Sequence, residues 1–134
     1  LQRDFEQDLP LIMADPDRLE QVFINLLINA RDAIDERWQS QPYPKDARAI
    51  RLKTKSNADA VTVEVHDTGS GIPEHLLERI FEPFFTTKKV GQGTGLGLSI
   101  SYGIIQDCKG SIRAVSREGE GTGFIIKFPI AKDE

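Results

Sequence analysis

The stretch Asp15-Pro-Asp-Arg-Leu-Glu-Gln-Val-Phe-Ile-Asn25-Leu-Leu-Ile-Asn29-Ala-Arg-Asp32-Ala-Ile34 carries the strongest pattern in the chain. Asp15 can cap free amides, and Pro16 at the first helical position loses no hydrogen bond, so a helix starts here. Leu19, Val22, Phe23, Leu26, Leu27, Ala30, Ala33 and Ile34 then recur at spacings of three and four. That period predicts an amphipathic helix from about Pro16 to Trp38. Asn25, Asn29 and Asp32 fall within roughly 60° of one another around its axis, beside the apolar stripe. Asn is a mediocre helix former and gains nothing from packing there, so two on one strip ask for a reason. A neutral amide oxygen suits Mg²⁺, which usually shares its shell with substrate phosphates and water.

Downstream of a Pro-containing loop (39–48), Ile50 to Lys55 alternates apolar and basic residues, and Val61, Val63 and Val65 alternate with Thr62, Glu64 and His66. Both read as strands. A glycine turn with Gly69 and Gly71 leads into a short helix containing Leu76, Leu77 and Ile80, then an aromatic patch of Phe81, Phe84 and Phe85. The patch on its own reads as core. A second glycine cluster precedes a helix from about Leu98 to Lys109, which Gly110 would stop. Ser111 to Ser116 and Phe124 to Pro129 form a closing hairpin around Glu118 to Gly121. The expected architecture is α+β: a two-layer sandwich with about three helices on one face of a sheet.

A length of 134 residues leaves room for one domain. Net charge is −4, and no stretch concentrates Lys and Arg, so no nucleic-acid partner is expected. The longest apolar run, Leu11 to Ala14, is far too short for a membrane helix, so no membrane contact by this domain is expected. Cys108 is the only cysteine, which excludes an internal disulfide and fits a reducing compartment. With His66 and His75 as the only histidines, any metal should be a hard ion bound through oxygen.

Two glycine-rich segments look chemical. Asp67-Thr-Gly-Ser-Gly71 ends a Val-rich strand; the same residues suit a tight turn, but a carboxylate is acceptor-only and matches the exocyclic amine of adenine, where guanine presents an acceptor. Gly91-Gln-Gly-Thr-Gly-Leu-Gly97 fits neither the dinucleotide fingerprint nor the P-loop. Glycines on alternate positions ahead of a helix can serve as a linker or cradle phosphate with backbone amides, aided here by Lys88 and Lys89.

Together these blocks resemble the catalytic and ATP-binding domain of bacterial sensor histidine kinases, in the Bergerat-fold ATPase superfamily that includes gyrase and the mismatch-repair ATPases. The matching motifs are an N box (Asn25-Leu-Leu-Ile-Asn29-Ala-Arg-Asp-Ala33), a first glycine box (Asp67 to Ile72), an F box (Phe81-Glu-Pro-Phe-Phe-Thr-Thr-Lys88), a second glycine box (Gly93 to Leu98) and Gly119-Glu-Gly-Thr122-Gly-Phe124. The F box looks like the nitrogen-regulation type in particular. The resemblance implies a mixed, mostly antiparallel sheet and Mg²⁺-ATP as ligand. Asn29 would ligate the metal with Asn25 assisting, and Asp67 would accept from adenine, with Gly69, Gly71, Ile72 and Thr122 lining the base. Thr87, Lys88 and the Gly93-Thr94-Gly95-Leu96-Gly97-Leu98 lid would hold the phosphates, and Phe81 and its F-box partners would anchor that lid. Residues from about Thr86 to Gly95 are expected to be poorly ordered without nucleotide. Asp32 is placed in the nucleotide site, but many family members have Lys there, so no phosphate contact carries over.

Hydrolysing relatives have a Glu where this chain has Asn25, and an amide cannot act as a general base. The resemblance therefore implies γ-phosphate transfer to a His rather than to water. Neither His66 nor His75 has the acid and Arg/Lys-Pro that follow the family's acceptor. Residues 1–134 are then expected to be the catalytic domain, with the dimerisation and phosphoacceptor helices N-terminal to it and a response regulator downstream. A monomeric isolated domain and a cytoplasmic setting are expected. Two other functions are open to the same fold: an ATP-binding regulatory switch without transfer, and an anti-sigma-type Ser/Thr kinase, which the Phe84-Phe-Thr-Thr-Lys88 block matches poorly.

Overall fold

The computed structural model describes residues 1–7, 9, 12, 14–39, 48–85 and 96–131. Asp15 caps the first helix with its Oδ1, which accepts from the Asp17 N–H at 2.9 Å, and Pro16 opens it as expected. This helix, α1, runs Pro16–Trp38. Its innermost residues are Val22, Leu26, Ala30 and Ile34, every fourth residue along one line. Leu19, Phe23 and Leu27 flank that line, packed against the core but only partly buried.

The strands are β1 (Gln2–Phe5), β2 (Ile50–Ser56), β3 (Ala60–Asp67), β4 (Ser111–Arg117) and β5 (Gly121–Pro129), in the spatial order β1-β2-β3-β5-β4. β1 runs parallel to β2 and the other pairs are antiparallel, giving the mixed sheet expected. The second helix, α2, spans Gly97–Asp107 and packs beside α1 on the same face. Val65, Phe124, Ile126 and Phe128 from the sheet meet Val22 and Leu26 of α1 and Ile104 and Ile105 of α2 to form the core. Burying each such side chain contributes about 1.5–3 kcal/mol, so this interface is the main source of stability.

Three expectations need correction. The short helix around Leu76 and Ile80 is only a 3₁₀ turn, Glu74–Leu76, followed by further turns, so the described residues hold two α-helices rather than three. With Pro73 before it and Pro83 soon after, the segment lacks the length to offset helix nucleation. At the end of α2 the left-handed position falls on Lys109 (φ 61°), not Gly110. Gly110 is needed for another reason: a Cβ there would lie 2.5 Å from the Lys127 carbonyl oxygen. The third is β1, which the sequence reading left unassigned.

Gly103 tests the packing picture from the opposite side. It lies inside α2, and a Cβ there would meet nothing within 4 Å. Gly103→Ala is therefore expected to stabilise the protein by roughly 0.5–1 kcal/mol in urea unfolding, through backbone entropy alone.

Candidate functional site

Asp67 is the last residue of β3 and lies opposite Thr122 of β5, on the helix-facing side of the sheet with Val65 and Phe124. Alternation sends His66 to the other face, where its ring covers Gly123 and its Nε2 sits 2.9 Å from Glu64 Oε1. Asp67 is buried. Its Oδ1 accepts from the Gly69 N–H at 2.8 Å, and the Thr122 backbone N–H donates to the same carboxylate. Burial lifts the Asp67 pKa above the ordinary Asp value; the two backbone donors and His66 only partly offset it. A carboxylate has about four lone-pair sites, so acceptor capacity remains after these two bonds.

The glycine turn after Asp67 is wedged between α1 and the β4–β5 hairpin. The Ser70 N–H donates to the Ala33 carbonyl at 3.1 Å, and the Gly119 N–H donates to the Ser70 carbonyl at 2.6 Å. A Cβ on Gly69 would lie 2.6 Å from the Ala33 backbone, and one on Gly71 (φ 75°) would overlap the Arg117 carbonyl oxygen. Protein, then, fills the space that these two missing side chains leave. Whatever the ligand, the fold itself requires both glycines.

Ser116 gave no sequence signal, yet it holds three parts of the site together. Its Oγ accepts from the Ile72 N–H at 2.7 Å, donates to the Gly121 carbonyl at 2.9 Å, and lies 2.8 Å from Thr122 Oγ1. Thr122 and Ile72 are thereby set relative to each other. Arg37 and Trp38 at the end of α1 were missed as well. Arg37 Nη1 and Trp38 Nε1 donate to the Thr68 carbonyl at 3.0 and 3.2 Å, tying the helix end to the turn after Asp67. A sequence signal existed only for proximity: both residues close the helix that bears the Asn strip.

On that strip, Asn25 Nδ2 donates to the Gly97 carbonyl and to Ser101 Oγ, both at 3.3 Å. Asn25 therefore aligns the first turn of α2 with α1. Asn29 is half-buried one turn later, and Ala33, one turn beyond, touches Gly69. Asp32 is half-buried too, with Oδ1 3.1 Å from Arg31 Nη2. The Leu96 carbonyl accepts from the Ile100 N–H at 2.9 Å, and Leu98 packs against the core. Gly97 is not a steric necessity, because a Cβ there would make only ordinary contact with Asn25. α1 thus carries both parts of the site on its length: the start of α2 at Asn25 and the Asp67 turn at Ala33 to Trp38. Thr87, Lys88, Gly93, Thr94 and Gly95, with the expected lid mobility, lie outside the described residues.

The F box divides. Phe81 and Phe85 pack against the core; Phe81 stands 5.4 Å from the Tyr102 ring and 6.4 Å, edge-on, from Phe124. Phe84 departs from the core expectation: it is 73% exposed with φ 66°, a conformation a bulky side chain rarely adopts. Cys108 sits half-buried just past α2, where burial raises its thiol pKa and so lowers its reactivity. Among the described residues no three His, Cys, Asp or Glu side chains converge to hold a metal, and no helix is long and apolar enough to cross a membrane.

Residues 14–132 match the family described as histidine kinase-, DNA gyrase B-, and HSP90-like ATPase. The chain is 48% identical over 134 residues to the sensor kinase CckA of Brucella abortus, covering 96% of this chain and 14% of that protein. It is 38% identical over 122 residues to the sensor histidine kinase ZraS of Escherichia coli, covering 91% of this chain and 24% of that one. It therefore spans a quarter or less of these curated relatives. Among solved structures, the catalytic domain of histidine kinase ThkA superposes with a TM-score of 0.76 at 36% identity, over 97% of this chain and 79% of that one. Full-length ShkA in complex with AMPPNP superposes with a TM-score of 0.78 at 28% identity, over 98% of this chain and 26% of that one. With its Asn strip, buried Asp67 and wedged glycine turn on that shared fold, the chain belongs to the histidine kinase-, gyrase B- and HSP90-like ATPases, as a histidine-kinase catalytic domain.

Proposed function

We propose that this domain binds Mg²⁺-ATP along α1, between the Asp67 turn and the start of α2, and presents the γ-phosphate to a histidine on a separate dimerisation and phosphoacceptor segment. The observation that carries the reading is Asp67: a buried carboxylate, held by the Gly69 and Thr122 amides, with acceptor capacity left for an amine. The AMPPNP complex of the structural relative ShkA supports a nucleotide at such a domain. Thr122 and Ile72, fixed by Ser116, would line the base with Gly69 and Gly71. Lys88, Thr87 and Gly93 to Gly95 would hold the phosphates, with Leu96, Gly97 and Leu98 carrying that segment into α2 and Phe81 anchoring it from the core.

The donor chemistry fits a magnesium ion shared with phosphates. With no cluster of acidic side chains among the described residues, the protein would offer a neutral amide oxygen, from Asn29, and leave most of the shell to the nucleotide and water. When bound, the ion supplies charge neutralisation across the phosphate oxygens. Asn25 acts by position, holding the first turn of α2 against α1. Its amide cannot take a proton from water, which favours transfer over hydrolysis.

His66 is hydrogen-bonded to Glu64 on the far face of the sheet, and His75 is on an exposed turn, so neither is placed to receive phosphate from this site. That its relatives CckA and ZraS are sensor kinases supports a response regulator as the downstream partner. The F-box sequence supports the nitrogen-regulation type.

Asn29→Ala tests the metal assignment. The variant should lose affinity for Mg²⁺-ATP by about tenfold or more while binding metal-free nucleotide nearly normally. Equal losses in both titrations would remove Asn29 as a ligand.

A further inference from the structure

The face of the sheet turned away from the helices has a charge opposite to that of the chain. Its register is set by the core: Leu52, Val65, Phe124 and Ala114 share one row facing the helices, so their neighbours along each strand must face out. One outward row runs Asp4, Lys53, Glu64, Ile125, Arg113. The row on one side holds Lys55, Thr62 and Lys127, and the row on the other holds Arg51, His66, Gly123 and Val115, with Arg117 at the end of β4 beyond it. Six basic side chains thus stand against two acidic ones within the strands, with Glu6 just past β1 and Glu120 beside Arg117 at the edges, on a chain whose net charge is −4. In linear sequence these cations are scattered over three strands, so no run of Lys and Arg reveals them.

Most of this charge is unspent. Lys55 lies 3.5 Å from Glu64 and Arg117 4.0 Å from Glu120, whereas Arg51, Lys53, Arg113 and Lys127 make no ion pair among the described residues. Beside them are two apolar side chains, Ile125, partly exposed, and Val115, 43% exposed.

We propose that this face is a docking surface for an acidic protein surface with an apolar spot at its centre. The two carboxylates argue for a polypeptide over a phosphate polyanion. Asp4 and Glu64 stand in the middle row, with Glu64 beneath Lys55 and His66, and would repel the phosphates of a nucleic acid or an anionic bilayer, while a protein surface of mixed charge can set a basic group against each. The grid spans roughly 20 by 20 Å at the usual strand spacing, about 400 Å². That is half the roughly 800 Å² per partner of a standard stable interface, which points to a transient, electrostatically steered partner rather than a second copy in a permanent dimer.

Titrating the isotope-labelled protein with a synthetic peptide of alternating Glu and Leu, followed by amide shifts, tests this. Shifts should cluster on β2, β4 and β5, and affinity should fall about tenfold or more on raising salt from about 20 to about 200 mM. Arg113→Glu with Lys127→Glu should abolish binding, and the milder Arg113→Gln with Lys127→Gln should weaken it several-fold. Both double variants should bind Mg²⁺-ATP like the parent, which also shows that they fold. The proposal is overturned if the shifts fall on α1, if no saturable shift occurs, or if duplex DNA or phosphatidylglycerol vesicles compete for the same residues more tightly than the peptide.

Discussion

Asp67→Asn is expected to leave the protein folded and to lower its affinity for adenine nucleotide by about 100-fold or more, roughly 2.7 kcal/mol. The amide oxygen of Asn can still accept from the Gly69 and Thr122 N–H groups, so the turn keeps its bonds. Its NH₂ group, however, would face the donor edge of adenine, setting two donors against each other in a buried site. Burial holds the Asp67 pKa above the usual Asp value, so the native carboxylate is the strained form at neutral pH. In the window between the ordinary and the raised pKa the native state binds the extra proton, so this group's contribution to stability falls as pH rises through it. Removing the charge should therefore keep or slightly raise the melting temperature at neutral pH. For the parent, nucleotide affinity should fall on acidification at a higher pH than an ordinary Asp would dictate, because a protonated Asp67 loses acceptor capacity. Calorimetry and thermal melts on the same samples separate the two effects; unchanged affinity would remove Asp67 from the base site.

Gly71→Ala should do the reverse, acting on the fold first. At φ 75° an L side chain is strained, and here the Cβ would also overlap the Arg117 carbonyl oxygen, which belongs to backbone at the end of β4. Left-handed backbone alone costs about 1–2 kcal/mol. Displacing the hairpin would also disturb the short bond from the Gly119 N–H to the Ser70 carbonyl, so the expected total is at least about 3 kcal/mol. Urea unfolding should show a lower midpoint with an unchanged slope. A loss below about 1 kcal/mol would mean that the turn and hairpin separate freely, contrary to the wedged packing.

How much of this was legible in sequence depended on whether the deciding interaction was local. α1 was readable to its ends, because Asp15, Pro16 and the apolar period act within one segment. β2, β3 and β4 were readable within a residue from their alternation, whereas β5 begins three residues before the expected Phe124, at Gly121, because Gly121 to Gly123 become strand only by pairing with β3 and β4. β1 was not readable, since Gln2–Phe5 is short, exposed and polar, and becomes a strand only by lying parallel to β2. The site divided in the same way. Asp67, Asn25 and Asn29 stood out as residue types in patterned places. Ser116 did not, because its three partners come from across the chain, at Ile72, Gly121 and Thr122. The glycines were read as room for a ligand, whereas Gly69 and Gly71 make room for Ala33 and Arg117. The basic outer face was legible only in part: the alternation of Arg51, Lys53 and Lys55 could be read along β2, but only register joins it to Arg113, Arg117 and Lys127.

The central claim is transfer of phosphate to histidine from a nucleotide held at Asp67 and Asn29. It is tested most directly by incubating the protein with γ-labelled ATP, magnesium and a His-bearing dimerisation helix pair, and following the label. An acid-labile, base-stable phosphohistidine should form on the helix pair, faster than inorganic phosphate, and be absent with the Asp67→Asn variant. Label appearing only as inorganic phosphate, or bound nucleotide with no transfer at high concentrations of both proteins, would contradict it.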